Sequence, residues 1–314
     1  CSFAERLIRA IGPRAALAAT FAAMTLAGVF IGIAPNYPLF TAAFFLLYLG
    51  NGLLEIGLAV VCAQLFTKNT GFMMNLSHFF YGLSSTAAPI GAAAVMGWTF
   101  GGGELGWRGM YIVLLFICAV PLLPALLARF PGETNHEDTN EAPVTWRSFL
   151  RDKVAWCVVV LLSLGVTAEL GAGGWMVNYL EKVHAFTPVR ASGMMSLFFL
   201  CFMISRLAFG PLTDRIGFVR SIILFAGACG LTSCIGVLIG ESGAVLLALA
   251  GAGIGPVYPT VMAFLARRYS RGTSAAITFT VTAIGILGVA GNFIIGGVTD
   301  ALGYRAGYLV IGGC

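Results

Sequence analysis

The apolar residues of this chain fall in long hydrophobic runs separated by short polar breaks. Nine runs are complete: residues 15–35, 38–66, 71–98, 107–129, 152–180, 190–212, 219–240, 244–265 and 273–298, with a tenth beginning near Tyr304. Runs of about 20 mainly apolar residues are long enough to cross the hydrocarbon core of a bilayer as helices. Lipid offers the backbone no hydrogen bonds, so a spanning segment must satisfy its own N–H and C=O groups, which a helix does and an open strand cannot. The pattern therefore predicts an all-α, polytopic membrane protein. One long polar stretch interrupts it, PGETNHEDTNEAPVTW from Pro131 to Trp146. This acidic, non-periodic stretch reads as a linker over residues 131–151, between a helical bundle at 1–130 and another at 152–314. At its end Trp146, Arg147, Phe149, Leu150, Arg151 and Lys153 mix aromatic and basic residues, as an interfacial segment does.

Composition agrees and narrows the choice of partners. The chain is 59% hydrophobic and only 10% charged, with a mean hydropathy of +0.92, whereas soluble domains carry about 25% charged residues. The formal charge of +5 does not point to nucleic acid, because the basic residues sit in short clusters between the runs. If the first loop is cytoplasmic, alternation puts Arg6, Arg9, Arg14, Lys68, Arg129, Arg147, Arg151, Lys153, Arg215, Arg220, Arg267, Arg268 and Arg271 on that side. The opposite side holds Arg108, Lys182, Arg190 and Arg305. This positive-inside bias orients the chain and places the acidic linker in the cytoplasm. The eight cysteines show no metal or redox spacing, and most lie inside apolar runs, where a thiol acts as a small hydrophobe. No cofactor and no metal is expected. No GxSxG, HExxH or paired-carboxylate constellation suggests an enzyme.

The runs also repeat. Gly12 and Gly217 end similar short basic loops 205 residues apart, and the segment from Leu65 lies over that from Arg268 at a shift of 203. Within that register Thr70 meets Thr273, Gly82 meets Gly285 and Pro89 meets Asn292. Gly106-Trp107-Arg108 then matches Gly303-Tyr304-Arg305. The unit is about 200 residues and six helices, so both copies keep one orientation. Two parallel, pseudo-symmetric six-helix bundles are one transporter architecture. On this reading the first bundle is truncated, the chain being a piece of a twelve-helix parent with two helices before Cys1 and more of the last after Cys314.

At Ser205 the chain reads SRLAFGPLTDRIGFVR, in which Arg206, Gly210, Leu212, Asp214, Arg215, Gly217 and Arg220 resemble the major facilitator superfamily loop signature GRxxxGxLxDRxGxxR. The resemblance implies a loop whose acid and arginines hold one conformation and release in the other. The first copy, ERLIRAIGPR from Glu5, departs from the pattern and has no Asp-Arg pair. GNGLLEIG from Gly50, MNLSHFFYGLSSTAAP from Met74 and AELGAGGWMVNYL from Ala168 are similar to the fucose–galactose–proton symporter branch. That branch implies proton-coupled uptake of a sugar or polyol across a plasma membrane by alternating access. Efflux of drugs or metabolites by proton antiport, or a non-transporting sensor on the same scaffold, is the alternative.

Candidate residues follow from polar groups inside apolar runs. Glu55 lies midway along the second run, where a carboxylate is costly unless protonated, paired or facing water. It reads as a proton carrier or as a structural partner of Asn51. Glu169 has the same standing beside Gly171, Gly173 and Gly174, where a helix that unwinds would free backbone carbonyls for a solute. Trp175 and Tyr179, four apart, share a helix face and suit either a sugar ring or an interfacial aromatic belt. Asn75, His78, Gly82, Ser85 and Pro89 form one small-polar stripe, which packs against another helix or lines a watery cavity. Its counterpart Thr278, Thr282, Gly285 and Asn292 is less polar. The segment GAGIGPVYP from Gly251 predicts close packing and then a kink, with Tyr258 a candidate for the cavity.

Overall fold

The computed structural model describes residues 2–100, 103–127, 146–270 and 272–314, with the backbone alone for 2–10, 13, 85–90, 93, 100, 146 and 147. The first helix, α1, runs Ser2–Ile33 and breaks at Gly12, where φ 80° and ψ 160° take the chain through a tight turn. Helices α2 (Tyr37–Leu65) and α3 (Thr70–Met96) follow. A two-residue hairpin, Thr99–Phe100 against Gly103–Glu104, leads into α4 (Gly106–Phe116). One 3-10 turn joins α4 to α5 (Leu122–Leu127). After a short α6 (Trp146–Phe149) come α7 (Lys153–His184), α8 (Pro188–Ile216) and α9 (Phe218–Ile239). The chain then forms α10 (Ala244–Ile254), α11 (Val257–Arg268), α12 (Thr273–Leu302) and α13 (Tyr304–Gly313).

Each predicted run is helical over its described residues, run 107–129 with a 3-10 turn and run 244–265 with a break inside it, and among the described residues eight segments are long and apolar enough to span a bilayer. The protein is a multi-pass, all-α membrane protein. Large apolar side chains point outward along the spans, Phe45 at 71% exposure and Phe293 at 78% among them, a surface that suits lipid and not water. The linker predicted at 131–151 lies outside the described residues up to 145.

The chain divides into two units, Cys1–Leu65 with Ser84–Val144, and Phe66–Leu83 with Thr145–Cys314. In the first, α1 packs on α2 and α4, with Gly28 and Gly32 against Leu115 and Ile112 of α4 and Gly50 against Met24. Glycine lets helix axes approach closely in a setting where no hydrophobic drive joins apolar surfaces. In the second unit α7 packs on α12 and α13, while α8 and α9 pack on α10. A Cβ at Gly251 or Gly255 would collide with the carbonyls of Phe198 and Phe202 in α8. Residues 66–83, the turn before α3 and its first half, belong to this second unit although the repeat groups them with the first bundle.

The turn glycines carry the repeat into three dimensions. Gly217, between α8 and α9, has φ 89° and ψ 148°, close to the values at Gly12, and Gly106 and Gly303 both have positive φ. Side chains rarely tolerate this region of backbone space, so glycine is the residue the turn demands.

Candidate functional site

The polar residues of the second unit converge where α3, α7, α8 and the α10–α11 junction meet. The junction itself is set by sequence. Pro256 and Pro259 lack N–H groups, so the span cannot run through as one helix. It stops at Ile254 and restarts at Val257, which is the kink that GAGIGPVYP predicts. The break turns Tyr258 toward α3, where its ring meets that of His78 edge-on, centroids 5.2 Å apart.

Arg206 closes this cluster. It is only 2% exposed, its Nε donates to the Gly255 carbonyl at 2.9 Å, and its Nη1 donates to the His78 carbonyl at 2.8 Å. Its guanidinium carbon lies 4.0 Å from the centre of the Phe202 ring. Glu169, Tyr81 and Tyr258 lie within electrostatic reach of the guanidinium. A buried arginine in a span needs such an opposing charge. The signature had grouped Arg206 with the loop between α8 and α9. The structure corrects this: Arg206 lies well inside α8 and takes no part in the loop.

The loop has a different chemistry. Asp214 accepts the Gly71 N–H at 3.0 Å and the Phe72 N–H at 2.8 Å, capping α3 with a charged side chain. Arg267 of α11 approaches the same carboxylate at 3.9 Å and lies over the Phe218 ring at 4.9 Å. Asp214 thus works as a helix cap, with Arg267 as its nearby cation, while Arg215 and Arg220 are exposed. Gly210 lets α3 approach, since a Cβ there would come within 3.1 Å of Asn75 and 3.3 Å of the Phe72 Cα.

Asn75 is fully buried in the same interface. Its Nδ2 donates to Gly71 O at 2.9 Å and to Thr260 Oγ1 at 3.4 Å, and its Oδ1 has no partner among the described residues. Of the two expectations for the stripe on α3, the contacts show helix packing, with Asn75 and Gly82 against other helices and the His78 ring against Tyr258. A Cβ at Gly82 would come within 3.2 Å of the Met203 side chain. The side chains of Ser85 and Pro89 lie outside the described residues.

The glycines beside Glu169 do not unwind α7, which runs unbroken from Lys153 to His184, and this overturns the expected loosened stretch. Gly171 and Gly173 are packing positions, because a Cβ at Gly171 would come within 3.0 Å of Ile311 and 3.2 Å of Ile295, and one at Gly173 within 3.1 Å of Phe199, whereas Gly174 faces open space. Trp175 and Tyr179 do share a face, and that face meets α13. Trp175 lies 6.3 Å from Tyr304 and Tyr179 4.8 Å from Tyr308. Tyr179 is 1% exposed and its hydroxyl lies 3.1 Å from His184 Nε2, so in this conformation its ring is a core element. Glu55 is exposed on the first unit, on a helix whose other face buries Gly50, Ile56, Gly57 and Val60.

Sequence reasoning missed Thr260, Tyr81 and Arg267. The proline rule offered one clue, since a proline inside a helix frees the carbonyl four residues earlier and so calls for a donor nearby. An apolar cavity of about 810 Å³ opens elsewhere in the second unit, between Trp156, Val160, Leu164, Ile254, Ile311 and Cys314, and none of the predicted site residues lines it.

Comparisons with known proteins fit this picture. A family model described as Major Facilitator Superfamily matches residues 2–289. A Haemophilus influenzae protein whose name proposes metabolite transport is 30% identical over 142 residues, 39% of this chain and 33% of that protein, so the match spans about a third of its length. The fold resembles the E. coli fucose:proton symporter FucP, with TM-score 0.85, 19% identity, and 99% of this chain and 83% of that one covered. It also resembles the human organic anion transporter MFSD10, with TM-score 0.76, 15% identity, and coverage of 99% and 77%.

Proposed function

Because this chain belongs to the Major Facilitator Superfamily, we propose that it carries a sugar or polyol together with protons by alternating access, as an uptake system of a plasma membrane with its acidic linker in the cytoplasm. The family is one of carriers and not of enzymes. The observation that carries the finer reading is the cluster of half-buried His78 and Tyr258 on buried Arg206, with Glu169 in electrostatic reach. Aromatic rings and a titratable carboxylate in the middle of spans suit a hydroxylated solute and a proton, and have little use in a purely structural bundle. The resemblance in fold to a fucose:proton symporter agrees with this choice.

Glu169 is the proposed proton carrier of the second unit and Glu55 that of the first. On this reading each carboxylate takes up a proton as its half binds solute and gives it up on the other side. The Asp214 cap on α3 is the proposed latch, a charge–dipole contact that holds one state and must break in the other.

The test is uptake by the purified full-length protein in proteoliposomes, with labelled fucose, other hexoses and polyols, and an imposed pH gradient. Concentrative uptake that collapses with the gradient is expected for at least one sugar. Glu169→Gln and Glu55→Gln should abolish concentration while sparing exchange. Unchanged gradient-driven uptake in both variants would refute the coupling, and proton-driven extrusion would replace uptake with efflux.

A further inference from the structure

The role of Arg206 goes further than supplying a buried charge. Pro259 has no N–H, so the Gly255 carbonyl four residues earlier has lost its helical donor. Gly255 is buried, and a buried carbonyl within a span has no water to turn to. Arg206 Nε supplies the missing donor at 2.9 Å, and Nη1 of the same planar group holds the His78 carbonyl at 2.8 Å. These two carbonyls belong to the two segments that carry the facing rings. His78 is one ring itself, and Tyr258 lies three residues beyond Gly255 in the short stretch between the prolines.

We propose that Arg206 is the positioning residue of the His78–Tyr258 pair, fixing the spacing of α3 from the α10–α11 break so that the two rings present one shape to a solute. This rests on the reading that the pair belongs to the solute site. Arginine suits the task because its donors diverge from a rigid plane and reach two carbonyls at once, whereas a lysine ammonium is a single point on a flexible stem. Packing over Phe202 at 4.0 Å holds that plane in place. A residue needed only for the unpaired carbonyl could be any single donor, and the second bond to α3 is what a positioning role adds.

The His78 ring signal is followed by NMR of full-length protein in nanodiscs with labelled histidine and assigned by its loss in His78→Asn. The variants are Arg206→Lys, Arg206→Gln and the double variant Arg206→Gln with Pro259→Ala. The alanine restores an N–H to the Gly255 carbonyl without restoring the tie to α3. Both single variants should shift or broaden the His78 signal and slow exchange of labelled fucose across proteoliposomes by about tenfold or more. In the double variant thermal stability should return, while the His78 signal and the exchange rate stay altered. If the double variant regains all three, Arg206 only fills an empty acceptor and the proposal fails. An unchanged His78 signal in Arg206→Gln overturns it equally. A shifted signal with exchange unaffected for fucose and every other sugar tried upholds the positioning and refutes the solute site.

Discussion

Replacing Asp214 by Asn puts the latch to a quantitative test. The carboxylate accepts two backbone N–H groups, from Gly71 at 3.0 Å and Phe72 at 2.8 Å, and its side chain is 14% exposed. Asparagine keeps one acceptor, removes the charge that faces the positive end of α3, and turns an amide N–H toward the second donor. A helix cap contributes about 0.5–2 kcal/mol, and a charge at a partly buried helix end up to about 2 kcal/mol. Arg267, at 3.9 Å with its side chain 55% exposed, adds little, since exposed pairs are screened. The loss should be about 1–2 kcal/mol, which at about 1.4 kcal/mol per decade is a 5- to 30-fold shift in the opening equilibrium. Amide hydrogen exchange on the peptide holding Gly71 and Phe72 reads it directly, as faster exchange in Asp214→Asn with the α7 peptides unchanged. Equal exchange rates in the two proteins would show that the carboxylate holds nothing, and the latch would have to be abandoned.

Two further outcomes follow from contacts away from that loop. Asp152 caps α7 through the N–H groups of Val154 and Ala155 and accepts the Tyr269 hydroxyl at 2.6 Å. The Tyr269 bond first, and then the cap, hold its carboxyl below its ordinary value, while burial and the bond to Asp152 push the Tyr269 phenol up to about 12. A lowered folded pKa gives stability that is full above the unfolded value of about 3.9 and is lost as pH falls through the lower folded one. The melting temperature of the wild type should therefore fall more steeply than that of Asp152→Asn in this acid range, and parallel curves would exclude the contact as a source of stability. Gly171→Val should destabilise the second unit by about 1–3 kcal/mol, because the added methyl groups meet Ile311 and Ile295. Thermal unfolding in detergent measures this, and a neutral result would revive the reading of a loosened helix.

The spans were legible because their signal is long and one-sided. A run of twenty apolar residues has few other fates, so run 71–98 becomes helix Thr70–Met96 and run 273–298 becomes Thr273–Leu302. The kink was legible for a local reason, since proline removes a donor wherever it stands. Gly171 misled because a glycine that loosens a helix and one that admits a neighbour look alike in sequence. The choice is made by Ile295 and Ile311, more than a hundred residues away. Arg206 misled in the same way, its distance from Asp214 along the chain saying nothing of the carbonyls it would find on α3 and at Gly255. The hairpin at Thr99–Glu104 spans only two residues a strand and leaves no period to detect.

The turn glycines bear on how the two copies have drifted apart. Gly12 and Gly217 hold almost the same backbone angles, yet only the second turn is preceded by an aspartate that reaches across to another helix. Exchanging a capping charge alters a few contacts and leaves the chain path intact, whereas a side chain at a left-handed position strains the path itself. The two corners thus share their geometry and differ in the chemistry placed upon them. Ancestry in such a chain is better traced through its corners than through its charges.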